Sequence, residues 1–362
     1  MYMSLSIAIV GLPNVGKSTL FNALTNNDIL AANYPFATIE PNTGIIAVPD
    51  ERLSTLEKMY SASKVIPATV TFVDIAGLVA GASKGEGLGN KFLANIRETD
   101  AIVHVVRAFV NDDILHVNTT VDPKRDIDVI NTELILADLQ SIERQIPKLE
   151  REAKSNPTAK AQIEEMKKLQ VELEAGKLAS DVDSVNTEVI QSLQLLSSKP
   201  VIYMFNVDEL TLGDEAQKQA LRDLVAPSQS VFICAKLEEE LRGLTDSDAQ
   251  ELLDAYDVSE SGLSQLARVA YSTLGLQSYL TAGQKEVRAW TIKQGFTAPQ
   301  AAGVIHTDFE KGFIAAAIVD FDDLITAGSE SAAKSAGKLR TEGRDYVMQP
   351  GDVVEFRFNV SK

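Results

Sequence analysis

The sequence predicts an α/β protein with a mostly parallel sheet, an inserted antiparallel helical arm and a small C-terminal β-rich module. Three observations predict it. Strand-like apolar runs alternate with helical patterns from residue 5 to about 110 and resume at 201–205 and 231–233. Such alternation produces parallel strands covered by helices, with the loops after the strands forming one ligand-binding edge. Between these halves, Ile135, Leu139, Ile142, Ile146, Leu149 and Ala153 follow the 4-3-4-3-4 spacing of a coiled-coil seam. From Ala289 onward, β-rich runs reappear at 289–292, 312–319 and 352–358. The expected division is 1–123 with 199–277 for the α/β part, 124–198 for the arm and 278–362 for the terminal module.

The first strand, Ser6 to Val10, leads into Gly-Leu-Pro-Asn-Val-Gly-Lys-Ser-Thr at 11–19, and Thr19 to Leu24 reads as a helix. This is the G-x-x-x-x-G-K-S phosphate-loop pattern, between the strand and the helix it requires. Gly11 and Gly16 let the backbone curl so that N–H groups from Asn14 to Thr19, Val15 included, face one concavity. Lys17 is expected to reach the β/γ oxygens and to act catalytically, and Ser18 to ligate Mg²⁺. The polar loop 33–42 follows, with Thr38 as candidate for a second hydroxyl on the metal and Thr43 as its competitor. After the run 69–73 comes Asp74-Ile75-Ala76-Gly77, a D-x-x-G element. There Asp74 would hold the metal shell and the Gly77 N–H would meet the γ-phosphate. Leu78 stands where Ras-like enzymes place a water-orienting Gln, so turnover should be slow. The Gly-rich run 81–89 is expected to order with nucleotide.

The run 101–106 contains His104, read as a satisfied core histidine. In the arm, Pro147 predicts a kink. Ser155-Asn156-Pro157 marks the bend, after which Ile163, Met166, Leu169 and Leu173 resume the seam. Asn206-Val207-Asp208-Glu209 follows the run 201–205, where a GTPase of this order carries N-K-x-D. Val207 replaces the Lys, and Glu209, one methylene longer, replaces the guanine-reading Asp. Adenine presents a donor-acceptor pair that the Asn206 amide could match. ATP is therefore expected over GTP. Cys234-Ala235-Lys236 fills the place of the loop whose backbone touches the base, and Cys234 could make binding redox-sensitive.

Across 362 residues, 45% hydrophobic, a single cysteine excludes an intrachain disulfide framework and fits a reducing compartment. No stretch is long and apolar enough for a membrane span, so a cytoplasmic location is expected, with no membrane partner. A net charge of −17 argues against a broadly basic nucleic-acid grip. The charge is uneven: residues 278–362 hold 10 Lys+Arg against 11 Asp+Glu, and 1–277 hold 24 against 40.

The motifs at 11–19, 33–42, 74–79, 81–90 and 206–209, with E-V-R-A-W-T-I at 286–292 and I-H-T-D-F-E-K-G-F at 305–313, resemble the Obg-like ATPase family, called YchF in bacteria. The resemblance covers nearly the whole chain. It implies an OBG-type G domain, a coiled-coil insert and a ubiquitin-like β-grasp (TGS) domain. It also implies a Mg²⁺-dependent ATPase, expected to be monomeric, that associates with ribosomes through ribosomal RNA or proteins. Links to translation or stress responses are part of that expectation. It further suggests Asn14 as a K⁺ ligand and His116, in the segment 112–117, as the water-positioning group. A nucleotide-gated ribosome-binding module with incidental hydrolysis and a ribosome-associated GTPase are the competing readings.

Overall fold

The structure is a computed structural model that describes residues 5–25, 42–75, 88–111 and 120–359. In the first half the apolar runs become β1 (Ser6–Val10), β2 (Thr43–Ala47), β3 (Val65–Ile66), β4 (Thr69–Asp74), β5 (Ala101–Arg107), β6 (Val201–Asn206) and β7 (Gln229–Ile233). All but β3 form one sheet, in the order β2-β4-β1-β5-β6-β7. Every pairing in it is parallel except β2 with β4. Residues Ile7 to Val10 of β1 and all of β5 are buried. Burial on both faces explains why these strands read as unbroken apolar runs rather than as alternation. The antiparallel β2 was not anticipated. Thr43 begins it opposite Val73, so this competitor for the metal role is part of an edge strand.

The arm consists of helices Pro123–Glu152 and Pro157–Glu174. Each starts with a side-chain cap followed by proline. Asp122 accepts from the Arg125 N–H and Asn156 from the Thr158 N–H, and a proline at the first position loses no helical bond. The bend at 155–157 is thus the cap of the second helix. Pro147 lies inside the first helix without ending it, and it has no N–H to offer the Glu143 carbonyl. Ile142, Met166, Leu169 and Leu173 form the buried seam. Residues 179–193, which include a short 3₁₀ turn, Ala179–Asp181, and a third helix, Thr187–Leu193, also pack on it through Ala179, Val182, Val185 and Ile190. The hairpin is therefore buttressed at its root. Helix Thr187–Leu193 is too short to show a 3.6-residue period.

The C-terminal module adds β8 (Leu276–Ala282), β9 (Val287–Lys293), β10 (Phe313–Asp320), β11 (Arg340–Glu342) and β12 (Asp352–Phe358). Its sheet order is β11-β10-β12-β8-β9-β3. Helix Ala298–Ile305 buries Ala298, Ala301 and Ala302 against Tyr279, Trp290 and Phe313. The segment 330–343 resolves into helix Glu330–Ser335 and β11. Strand β8 begins at Leu276, two residues before the expected boundary. The outermost strand comes from the first half of the chain: β3 pairs in parallel with β9, Val65 opposite Val287.

Candidate functional site

The phosphate loop leaves the centre of the first sheet, where β1 ends between β4 and β5. Its glycines are required by space. A Cβ on Gly11 would lie 2.6 Å from the Val105 carbonyl oxygen, and Gly16, at φ +100°, would drive one into the Asn206 amide. Asn14 adopts φ 62°, a left-handed conformation that Asn tolerates better than most residues. Helix Lys17–Thr25 follows with Ser18 and Thr19 exposed on its first turn and no acidic side chain there. The unpaired N–H groups of this turn and the positive end of the helix dipole suit an anion.

Lys17 is 9% exposed and donates from Nζ to the Leu12 carbonyl oxygen at 2.6 Å. Burial depresses its pKa to about 8, against the pull of Asp74. Asp74 ends β4, with its N–H donated to the Asn42 carbonyl at 2.8 Å. Burial raises its carboxyl pKa, and the Lys17 charge opposes the rise. Lys17 and Asp74 are thus desolvated groups awaiting counter-charges. The Ser18 hydroxyl and the Asp74 carboxylate are hard oxygen donors that fit Mg²⁺. Thr38, Gly77, Leu78, His116 and residues 81–87 lie outside the described residues.

On the base side, Asn206 is 4% exposed. Its Nδ2 donates to the Val15 carbonyl at 3.0 Å, and its Oδ1 accepts from the Ala235 N–H at 3.3 Å. The expected adenine reader is therefore a staple between the phosphate loop and the Cys234–Lys236 loop. Its Oδ1 is engaged, and one Nδ2 hydrogen remains beyond the Val15 bond. Val207 points its side chain into the core with Phe205, Phe232, Cys234 and Leu237, and its N–H is bonded to the Ile233 carbonyl at 2.9 Å. Glu209 forms an ion pair with Lys236 at 2.7 Å, and the Lys236 hydrogen bond lowers its pKa. Cys234 is buried, and burial raises its thiol pKa, which disfavours the thiolate that redox chemistry needs.

His104 corrects another expectation. It is 1% exposed, yet its Nδ1 has no hydrogen-bond partner among the described residues. Burial, reinforced by the Lys17 charge, drives its pKa to about 3, so it stays neutral. Its ring lies against Tyr203, with centroids 5.5 Å apart. Sequence reasoning missed two contributors. Arg107, 1% exposed at the end of β5, donates to the carbonyls of Phe109 at 3.1 Å and Asn111 at 3.0 Å and packs over the Phe109 ring. It thereby shapes the segment that precedes His116, and an arginine closing an apolar strand was the available signal. Lys236 is the other; it lies 27 residues from Glu209 in the chain, so the sequence carries no local signal of the pair.

Comparison with known proteins agrees with this geometry. Residues 6–126 match the family described as "50S ribosome-binding GTPase". Residues 276–359 match the YchF-GTPase_C family, described as "Protein of unknown function (DUF933)". The chain is 53% identical to the "Ribosome-binding ATPase YchF" of Haemophilus influenzae, with 99% of this chain and all of that protein covered. Its identity to the protein of the same name from Bacillus subtilis is 48%, with the same coverage. Among solved structures, the YchF GTPase of Schizosaccharomyces pombe superposes with a TM-score of 0.86 at 39% identity, covering 98% of both chains. With such identity along its full length, and with its phosphate loop, arm and C-terminal sheet in place, the chain belongs to the YchF family.

Proposed function

We propose that this protein is a Mg²⁺-dependent ATPase switch that hydrolyses ATP in preference to GTP and binds ribosomes. The observation that carries the specificity is the Glu209–Lys236 ion pair. A guanine reader needs a free carboxylate at this position to accept from N1–H and the 2-amino group. Here the carboxylate is one methylene longer, and a lysine holds one of its oxygens. The relatives called ribosome-binding ATPases support the same reading. The proposed units are 1–123 with 199–277, 124–198 and 278–362, acting as a cytoplasmic monomer.

In this reading the N–H groups from Asn14 to Thr19 orient the phosphates, and Lys17 donates to the β/γ oxygens. Ser18, Asp74 and Thr38 would hold Mg²⁺, which when bound would supply positive charge beside the transferred phosphoryl. Asn14 is the residue proposed to hold K⁺, and Gly77 the one proposed to meet the γ-phosphate. His116 positions the attacking water, compensating for Leu78. Asn206, Glu209, Cys234 and Ala235 line the base side, with Val207 supporting them from the core.

ATP and GTP affinities measured side by side test the specificity. Wild type should prefer ATP, and Glu209→Asp, too short to hold Lys236 in the same way, should shift the ratio toward GTP by about tenfold, or ~1.4 kcal/mol. Tighter GTP binding by wild type would sink the reading. Lys17→Ala should abolish hydrolysis, whereas His116→Ala should slow it with ATP affinity nearly intact.

A further inference from the structure

We propose that Arg107 is a positioning residue for ATP hydrolysis: its guanidinium fixes the stretch from Ala108 to Asn111 and thereby limits where His116 can go. The role rests on the reading of His116 as the residue that positions the attacking water.

Arg107 ends β5, a strand buried along its whole length, and is itself only 1% exposed. Arginine stays protonated in such a place, so the fold keeps a charge where apolar packing would avoid the desolvation. Burial lowers its pKa, and the charge of Asp126 opposes that fall. Asp126 lies in the first turn of helix Pro123–Glu152 and is also 1% exposed.

The hydrogen bonds of Arg107 show what the charge does there. Strand β5 runs beside the phosphate loop: His104 is paired with Val10, and the Val105 carbonyl oxygen leaves no room for a Cβ on Gly11. The chain therefore leaves β5 next to the loop that would hold the phosphates. Its last rung to β6 is the Ala108 N–H, donated to the Asn206 carbonyl at 2.8 Å. Beyond that rung, Arg107 Nε donates to the Phe109 carbonyl at 3.1 Å and Nη2 to the Asn111 carbonyl at 3.0 Å. The guanidinium carbon also lies 4.6 Å from the centre of the Phe109 ring. Val110, between the two held carbonyls, is 80% exposed. The stretch thus runs over the surface and is held from beneath by one planar fork, which sets orientation as well as position.

Asn111 lies five residues before His116, and five residues span at most about 18 Å. Holding Asn111 therefore restricts the imidazole. Positioning of a reacting group tolerates little error, since a shift of about 1 Å can cost about 100-fold in rate.

The test measures turnover at saturating ATP, ATP affinity and urea unfolding of the full-length protein as wild type, Arg107→Lys, His116→Ala and the double variant. Lysine keeps the charge and loses the fork. Arg107→Lys should slow turnover by roughly 10- to 100-fold while ATP affinity stays at the wild-type value, at a temperature where the unfolding curve shows the protein folded. The double variant should be no slower than His116→Ala alone, because Arg107 acts through His116. A buried residue that merely supports the fold would instead add its own loss to that of His116→Ala.

Wild-type turnover by Arg107→Lys beside a slow His116→Ala would overturn this role and leave the reading of His116 standing. A double variant slower than His116→Ala would overturn it as well. Wild-type turnover by His116→Ala would remove the reading of His116 and this role with it. Should Arg107→Lys fail to fold, Asp126→Asn takes its place, since it removes the countercharge and keeps the guanidinium. It should slow turnover in the same His116-dependent way, and an unchanged rate would overturn the role.

Discussion

Lys17 shows what the phosphate loop does before nucleotide arrives. Folding places a cation where water is largely excluded, and its pKa falls to about 8. The folded state then binds fewer protons at this site than the unfolded chain between about pH 8 and the ordinary 10.5. The penalty for the buried charge is complete below pH 8 and is relieved as pH rises through that window. Bound phosphates act oppositely, since they favour the protonated amine. ATP affinity should therefore be level up to about pH 8 and then weaken by up to tenfold per pH unit, read as Kd between pH 7 and 9.5. A level profile throughout would contradict the desolvation of Lys17. The lysine's role was legible from the loop pattern, but its altered basicity was not, because desolvation comes from residues distant in the chain.

At the scale of elements, Glu238 joins two helices flanking β7. It sits on helix Ala235–Glu240, is 6% exposed, and accepts from the Gly262 N–H at 2.7 Å at the start of helix Gly262–Thr273. Gly262 has no room for a side chain, since a Cβ would lie 2.9 Å from the Phe232 carbonyl oxygen. Burial outweighs the backbone hydrogen bonds and raises the Glu238 pKa to about 7. The folded state holds this proton more tightly than the unfolded one, so stability is lost as pH rises from about 4.5 to 7. Glu238→Gln keeps an acceptor without the buried charge. It should stabilise the protein by about 1–3 kcal/mol at pH 8 and have almost no effect below pH 4.5, as urea unfolding at both pH values would show. The coiled-coil seam of the arm was plain in the sequence because Ile135, Ile142, Met166 and Leu169 repeat over several turns. The cap on Gly262 was not, because its partner lies 24 residues away.

At the scale of the molecule, the connection between β2 and β4 ties the two sheets together. Helix Glu51–Tyr60 and β3 both lie in this connection. Val287 donates its N–H to the Lys64 carbonyl at 2.9 Å, and the Ser63 hydroxyl donates to the Lys285 carbonyl at 2.9 Å. Arg52 is held by Asp50 at 2.6 Å and donates to the Pro350 carbonyl of the C-terminal module. One continuous core includes Ile7 of β1, Leu56 of this helix, and Leu280 and Val353 of the second sheet. Arg52→Ala should cost about 1–3 kcal/mol through lost charge-assisted hydrogen bonds. It should also speed amide exchange on β9 while leaving ATP affinity unchanged. Unchanged exchange at Val287 would show that β3 pairing alone holds the module.

Local pattern was enough for the phosphate loop, the parallel strands, the arm and the C-terminal β module. Each of these is a contiguous stretch whose spacing or composition reflects its own backbone geometry. Tertiary structure decided what those stretches do to one another. It turned Asn206 into a staple 191 residues from its Val15 partner, closed the Glu209 carboxylate with Lys236, left His104 Nδ1 unpaired in the core, and lent the two-residue β3 to the second sheet. None of these has a sequence period, because each depends on which distant backbone or charge folding brings within hydrogen-bond reach.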